Sequence, residues 1–201
     1  MSKELNVLIS GLGGQGVILA ARILAEAAFA DGSRALTADV VGATQRFGSA
    51  YSYVRIGEEI YSATFPEGEA DLLLGFDPLQ ILKTGVTFAN EEGLVIVSDR
   101  PIGIQANLAS EYPSIDEILG AFKRMGIRNV KHFDAGDIAV RETGSIVALN
   151  MVMLGAAFAS GIVPVKESTL ATVITKLSPS GTAEANLQAF RSGIKRFLEL
   201  E

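Results

Sequence analysis

Gly11, Gly13 and Gly16 fit the spacing G-x-G-x-x-G, with an additional Gly14 and a polar Gln15 between them. They stand between a strand-like run, Leu5 to Ser10, and an apolar helical run from about Val17 to Ala30. Glycines permit a tight turn and close backbone approach, and the unpaired N–H groups at the start of the following helix can receive an anion. The same spacing also serves a strand-to-helix turn that needs glycine for packing alone, so both readings stand. Asp39, about 20 residues beyond the turn, is placed like the ribose-binding acid of a nicotinamide-type dinucleotide domain. Next comes the loop Thr44-Gln45-Arg46-Phe47-Gly48-Ser49. The Arg46 guanidinium suits bidentate binding of a phosphate or carboxylate, or anchoring of a partner chain; the plain alternative is a surface arginine.

Other chemistry is excluded by what is missing. With no cysteine, the chain has no disulfide, no thiolate nucleophile and no cysteine-ligated iron–sulfur cluster. The single histidine, His132, lies beside Lys131 in the strand-like run NVKHFDA, and a structural or surface role is expected of it. One histidine does not make a histidine-rich zinc site or a Ser/His/Asp triad. No catalytic acid, base, nucleophile or metal ligand is therefore assigned. A formal charge of −6 argues against nucleic acid as a partner, because phosphate neutralisation needs clustered Lys and Arg. The apolar stretch Ser145 to Val163 approaches bilayer length, but it carries Asn150 and is studded with Gly and Ser, so a buried helix is expected rather than a membrane span. Asn150 itself is expected to be a buried amide satisfying backbone groups rather than a ligand contact. MSKELNVLIS has no long apolar run of the secretory kind, which points to a cytoplasmic protein without a membrane partner.

The elements that must position these residues read as a single α/β domain over residues 1–201. Hydrophobic residues at 48% and charged residues at 20% are a globular balance. The predicted architecture is three-layer, with a mostly parallel sheet, a Rossmann-like start, an inserted β-hairpin and a helical C-terminal third. The first strand, the helix and a second strand near Arg34 to Asp39 make a βαβ beginning. AYSYVRIG and IYSATF, joined by Gly57-Glu58-Glu59, predict the hairpin. Asp71 to Phe76 reads as a strand, and Pro78 suits the first turn of a helix through about Ala89. Leu94 to Ser98 and NVKHFDA supply further strands. Ser114 with Glu117 has capping-box spacing for a helix ending near Gly126. From Ala135 onward the pattern is mostly helical, broken at Gly161 to Pro164 and at Ser178 to Gly181.

The segment Val40 to Pro66 interrupts the parallel pattern and holds Phe47, Tyr51, Tyr53, Tyr61 and Phe65. Strand alternation sends Tyr51 and Tyr53 to one face and Ser52 and Val54 to the other. Aromatics and arginine dominate interface hot spots, so this segment either meets a partner or covers the sheet.

Taken in order, GLGGQGVILAARILAEAA, GATQRFGSAYSYVRIG and IYSATFPEGEADLLLGFDPLQILK resemble the gamma-domain family of 2-oxoacid:ferredoxin oxidoreductases. The segment Gln45-Arg46-Phe47-Gly48-Ser49 is similar to the indolepyruvate branch, which shows a second glycine where Phe47 stands here. Asn150 to Ala156 and Glu184 to Phe190 are similar to that branch as well. Pyruvate, 2-oxoisovalerate and 2-oxoglutarate relatives share the glycine turn, so the 2-oxoacid stays open. The resemblance implies a subunit outside the catalytic centre. Partner chains then hold thiamine diphosphate and [4Fe–4S] clusters, and the assembled enzyme converts a 2-oxoacid and CoA to acyl-CoA while reducing ferredoxin. The chain carries no thiamine pattern of its own: Gly136-Asp137 continues with Ile138, and Asn150 follows too soon. The resemblance implies that this domain helps enclose CoA, with Gly11, Gly13, Gly14, Gln15, Gly16, Thr44, Gln45, Arg46 and Ser49 as the expected contacts. Two alternatives use the same glycine turn: a stand-alone nicotinamide oxidoreductase and a nucleotide-sensing module.

Overall fold

A strand without a polar face must be covered on both sides. Leu5–Leu12 (β1) is such a strand, buried along its whole length. In the computed structural model, which describes residues 4–42, 48–101 and 112–200, β1 is followed by α1 (Val17–Ala30), β2 (Arg34–Val41) and β3 (Ser49–Gly57). Then come β4 (Ala70–Gly75), α2 (Pro78–Phe88), β5 (Ala89–Ser98), α3 (Ile115–Arg124) and β6 (Asn129–Phe133). The remainder is helical: α4 (Ala135–Thr143), a 3-10 turn (Ile146–Ala148), α5 (Leu149–Ala159), α6 (Glu167–Leu177) and α7 (Ala183–Leu198). The strands form one sheet in the order β2-β3-β1-β4-β5-β6. β1, β4, β5 and β6 pair in parallel, and β3 runs antiparallel to both of its neighbours.

Strand alternation divides the core into two layers. Val7, Ile9, Leu72, Leu74 and Ile96 pack with α1 and with α4 to α7, whereas Leu8, Leu73 and Val95 pack with Ile81 of α2 and Ile118 and Phe122 of α3. The result is the expected three-layer α/β fold.

The antiparallel insertion takes a different form from the expected hairpin. β3 lies between β1 and β2, so the first two strands are not neighbours. β3 has the residues for this central position, with Val54 and Ile56 in one core layer and Tyr53 in the other. The run 60–65 is not a strand. Arg55 Nη1 donates to the carbonyls of Ser62 and Thr64, both at 3.3 Å, and so takes up acceptors a ladder would use.

Helix ends follow local chemistry. The Ser114–Glu117 capping box opens α3, and Asp77 caps α2, which begins at Pro78. α6 has no cap of its own, and Asp31 at the end of α1 serves it. The Asp31 carboxylate accepts from Lys166 N at 2.6 Å and Thr169 Oγ1 at 2.8 Å, tying α1 to α6. α5 is the expected buried helix, and no described helix is long and apolar enough to cross a membrane. It meets α7 backbone to backbone: a Cβ at Gly155 would lie 2.0 Å from Phe190 O, and one at Gly193 would lie 1.9 Å from Val152 O.

Candidate functional site

The glycine turn leaves the sheet where β1 and β4 end side by side, Ser10 opposite Gly75. The helix after β1 covers one face of the sheet and the helix after β4 covers the other. This is the crevice at which open α/β sheets receive ligands. The turn is braced on both sides. Leu12 N donates to Gln15 Oε1 at 2.6 Å, Gln15 Nε2 donates to Phe76 O at 3.2 Å, and Gly13 N donates to Gly48 O at 2.8 Å. The buried Gln15 amide therefore staples the turn to the end of β4.

Gly16 is the residue at the start of α1, with a φ of 78° that disfavours any side chain. α1 has no side-chain cap and no acidic residue in its first turn, so the positive end of its dipole is uncompensated by its own sequence. Beside it runs an open groove of about 520 Å³ lined by the glycine turn, Ile18, Val41 and Ser49, and among the described residues its lining carries no charge. Backbone donors at one end and apolar walls along the side suit a ligand with an anionic group and an uncharged arm.

The structure brings Gly11, Gly13, Gly14, Gln15, Gly16 and Ser49 together, and Ser49 pairs directly with Leu12. Thr44, Gln45, Arg46 and Phe47 lie outside the described residues. Asn150, in the first turn of α5, is 3% exposed and faces Gly16; a Cβ on that glycine would lie 2.3 Å from Asn150 Nδ2. Contrary to the sequence expectation, its amide satisfies no backbone group among the described residues. The polar residue inside an apolar run was the available signal, but its apposition to Gly16 depends on long-range packing.

Asp39 does not reach the turn. It pairs with Ser52 of β3, which in turn pairs with Ile9, so two strand spacings, roughly 9–10 Å, separate it from β1. Its carboxylate accepts from Ser52 Oγ at 2.5 Å. His132 is further away, on β6, with Nδ1 2.7 Å from Asp99 Oδ1 in an exposed pair. Asp77 is buried, and desolvation raises its pKa against the hydrogen bonds it accepts from Gln80 N, the Tyr112 hydroxyl and Leu79 N. Burial, with the adjacent Asp77 charge, also pushes the Tyr112 hydroxyl well above its ordinary range. This pair caps the start of α2, with no nucleophile beside it among the described residues.

A groove of about 570 Å³ lies between α4 and α7. Among its charges Arg141 pairs with Asp137 at 3.4 Å and Arg196 with Glu199 at 3.6 Å, while Asp134 pairs with Arg100 outside the groove. No group of three or more His, Asp or Glu able to hold a metal ion occurs among the described residues. In the inserted segment Tyr53 and Phe65 are buried, edge to face at 5.1 Å, and cover the sheet. Tyr61 is 82% exposed, with the Arg34 guanidinium 5.3 Å from its ring centroid.

Residues 6–196 match the pyruvate ferredoxin/flavodoxin oxidoreductase family. The chain belongs to that family. It is 36% identical over 200 residues to indolepyruvate oxidoreductase subunit IorB of Thermococcus kodakarensis, covering 98% of each chain. It is 32% identical over 198 residues to 2-oxoglutarate synthase subunit KorC of Methanothermobacter thermautotrophicus, covering 96% of this chain and 95% of the relative. The fold matches the crystal structure of a keto/oxoacid ferredoxin oxidoreductase gamma subunit from Geobacter sulfurreducens with a TM-score of 0.71 at 26% identity, over 97% of this chain and 99% of the other. Within the pyruvate ferredoxin/flavodoxin oxidoreductase family these relatives are subunits of oxidoreductases.

Proposed function

We propose that this chain is the cofactor-free subunit of a CoA-dependent 2-oxoacid:ferredoxin oxidoreductase of the indolepyruvate type. In this reading it helps form the CoA site and the subunit interface, while thiamine diphosphate and [4Fe–4S] clusters reside on cytoplasmic partner chains. The observation that carries the CoA assignment is the uncompensated N-terminus of α1 beside a groove whose described lining residues carry no charge. CoA combines phosphate groups with a long uncharged arm, and the two parts match the two parts of the site. The cofactors supply carbanion stabilisation and electron transfer, so the work left to this chain is binding and placement. A chain without cysteine has no thiolate ligands for an iron–sulfur cluster. The substrate assignment rests on similarity to indolepyruvate oxidoreductase subunits.

The test is anaerobic purification of the tagged chain from its native host, identification of what comes with it, and assay of the complex with several 2-oxoacids, CoA and ferredoxin. A thiamine-binding, cysteine-rich partner and a preference for indolepyruvate are expected. Recovery of the chain alone, or indifference of the complex to CoA, would remove this reading. The stand-alone nicotinamide alternative is disfavoured by the position of Asp39, two strands from the turn.

A further inference from the structure

We propose that the outer edge of β2, together with the exposed flank of α1, is a self-association surface that takes a second copy of this chain, the two β2 strands pairing antiparallel into one continuous sheet. The inference goes beyond the reading above and does not depend on it. β2 is an edge strand, with β3 on one side and no strand on the other among the described residues. Its register with β3 runs unbroken from Arg34↔Gly57 to Val41↔Ala50. Such an edge presents a row of backbone N–H and C=O groups that a further strand can satisfy. Natural sheets block free edges with Pro, Lys or a bulge. β2 (RALTADVV) has none of these, and its Val40 and Val41 are exposed on opposite faces.

The occupant follows from what lies beside the strand. α1 packs over β2 and β3. Along it Ile18, Arg22, Ala25 and Phe29 fall at intervals of four, three and four residues, which is one helical face. Ile18 and Phe29 are exposed, Phe29 at 75%, and Ile18 shares a groove with Val41, which puts this face on the β2 side. A partner must therefore bring a strand for the edge and a helix for the stripe at matching spacing. A second copy brings both. Across a β2–β2 junction the two α1 helices lie about two strand spacings apart, roughly 9–10 Å. Packed helices stand about 8–10 Å apart. They run antiparallel, which sets Ile18 against the partner's Phe29 and Arg22 against the partner's small Ala25.

Side-chain chemistry selects the register. A two-fold axis centred on Ala38 sets Leu36 opposite the partner's Val40, Ala35 opposite the partner's Val41 and Thr37 opposite the partner's Asp39. Apolar side chains then meet apolar ones, and a hydroxyl can donate to the carboxylate. Centred on Asp39, the same pairing would oppose two carboxylates; centred on Thr37, it would set Arg34 against Val40 and Asp39 against Ala35.

The test is analytical sedimentation of the full-length chain, with hydrogen exchange read at β2. The wild type is expected to form a species of twice the chain mass by about 100 µM, its β2 amides exchanging more slowly as the dimer fills. Phe29→Glu and Val40→Lys, both at exposed positions, should each weaken association by roughly tenfold or more with unchanged far-UV circular dichroism. The exposed Thr37 reads the register. Thr37→Asp sets a carboxylate opposite the partner's Asp39 and should abolish the dimer, whereas Thr37→Lys sets a cation there and should keep it. Equal behaviour of the two Thr37 variants would overturn the register. A wild type that stays monomeric, a dimer indifferent to Phe29→Glu and Val40→Lys, or β2 amides protected only once a thiamine-binding chain is added overturns the proposal.

Discussion

Leu12 N–H and the Gln15 side chain close the glycine turn on itself, with Oε1 accepting at 2.6 Å while Nε2 of the same amide donates to Phe76 O at 3.2 Å. One side chain thus joins the end of β1 to the end of β4, the two strands that frame the candidate site.

Replacing it should be felt in stability. Gln15→Ala leaves a buried N–H and a buried carbonyl without partners, a loss of about 1–3 kcal/mol. For a domain of this size that lowers the melting temperature by roughly 2–4 °C per kcal/mol. Gln15→Glu keeps the acceptor but sets an oxygen against Phe76 O, so it should melt lower than the alanine variant at neutral pH. Thermal denaturation of the three chains measures this; equal melting temperatures would mean that the amide is no staple.

Asp39 separates the subunit reading from the nicotinamide one. Its hydrogen bond with Ser52 stays within the sheet. Asp39→Ala should cost about 1 kcal/mol, mainly by leaving the buried Ser52 hydroxyl without its partner. Calorimetry with NAD should give no binding that depends on this carboxylate. Micromolar NAD binding that disappears in the variant would restore the dehydrogenase alternative.

Asp77 sets a pH dependence. One of its oxygens, Oδ2, is buried without a hydrogen-bond partner among the described residues, and desolvation raises its pKa above the ordinary 3.8. A carboxyl with a raised folded pKa holds its proton more tightly when folded, so it favours the fold at low pH and opposes it once ionised. Its contribution therefore falls as pH rises from 3.8 through the raised value. Glu26, hydrogen-bonded to Lys176 and Arg22, and Asp31, hydrogen-bonded to Lys166 N and Thr169, have lowered pKa values and act in the opposite sense, losing their contribution as pH falls. Asp77→Asn keeps a capping acceptor and removes the ionisation. Urea denaturation from about pH 4 to about pH 8 should show the alkaline-side decline flattened in the variant; an unchanged slope would exclude Asp77 as its source.

Features set by neighbours in sequence were legible before the structure. Ser114 and Glu117 are three residues apart, Pro78 sets its own helix start, and the breaks near Gly161 and Ser178 are written in turn residues. The glycine turn was legible as well, because its strand and helix flank it directly. Features set by distant neighbours were not. The run 60–65 has strand-like residues, but Arg55 claims two of its carbonyls, and β3 finds its partners in β1 and β2. The resemblance implies Gln15 as a ligand contact; its hydrogen bonds to Leu12 N and Phe76 O, made across the ends of two strands, have no local signature. Asn150 was conspicuous as a polar residue in an apolar helix, yet its position over Gly16 follows from how α7 seats α5 through Gly155 and Gly193. No local spacing encodes that contact.

In the proposed reading this chain supplies binding surface to an oxidoreductase whose redox centres lie elsewhere. Reconstitution tests it most directly: this chain alone, the thiamine-binding iron–sulfur partner alone, and the two combined are assayed anaerobically for ferredoxin reduction dependent on indolepyruvate and CoA. The account predicts turnover only from the combination, with no iron and no activity in this chain by itself. Turnover by this chain alone, or full CoA-dependent turnover by the partner without it, would contradict the account.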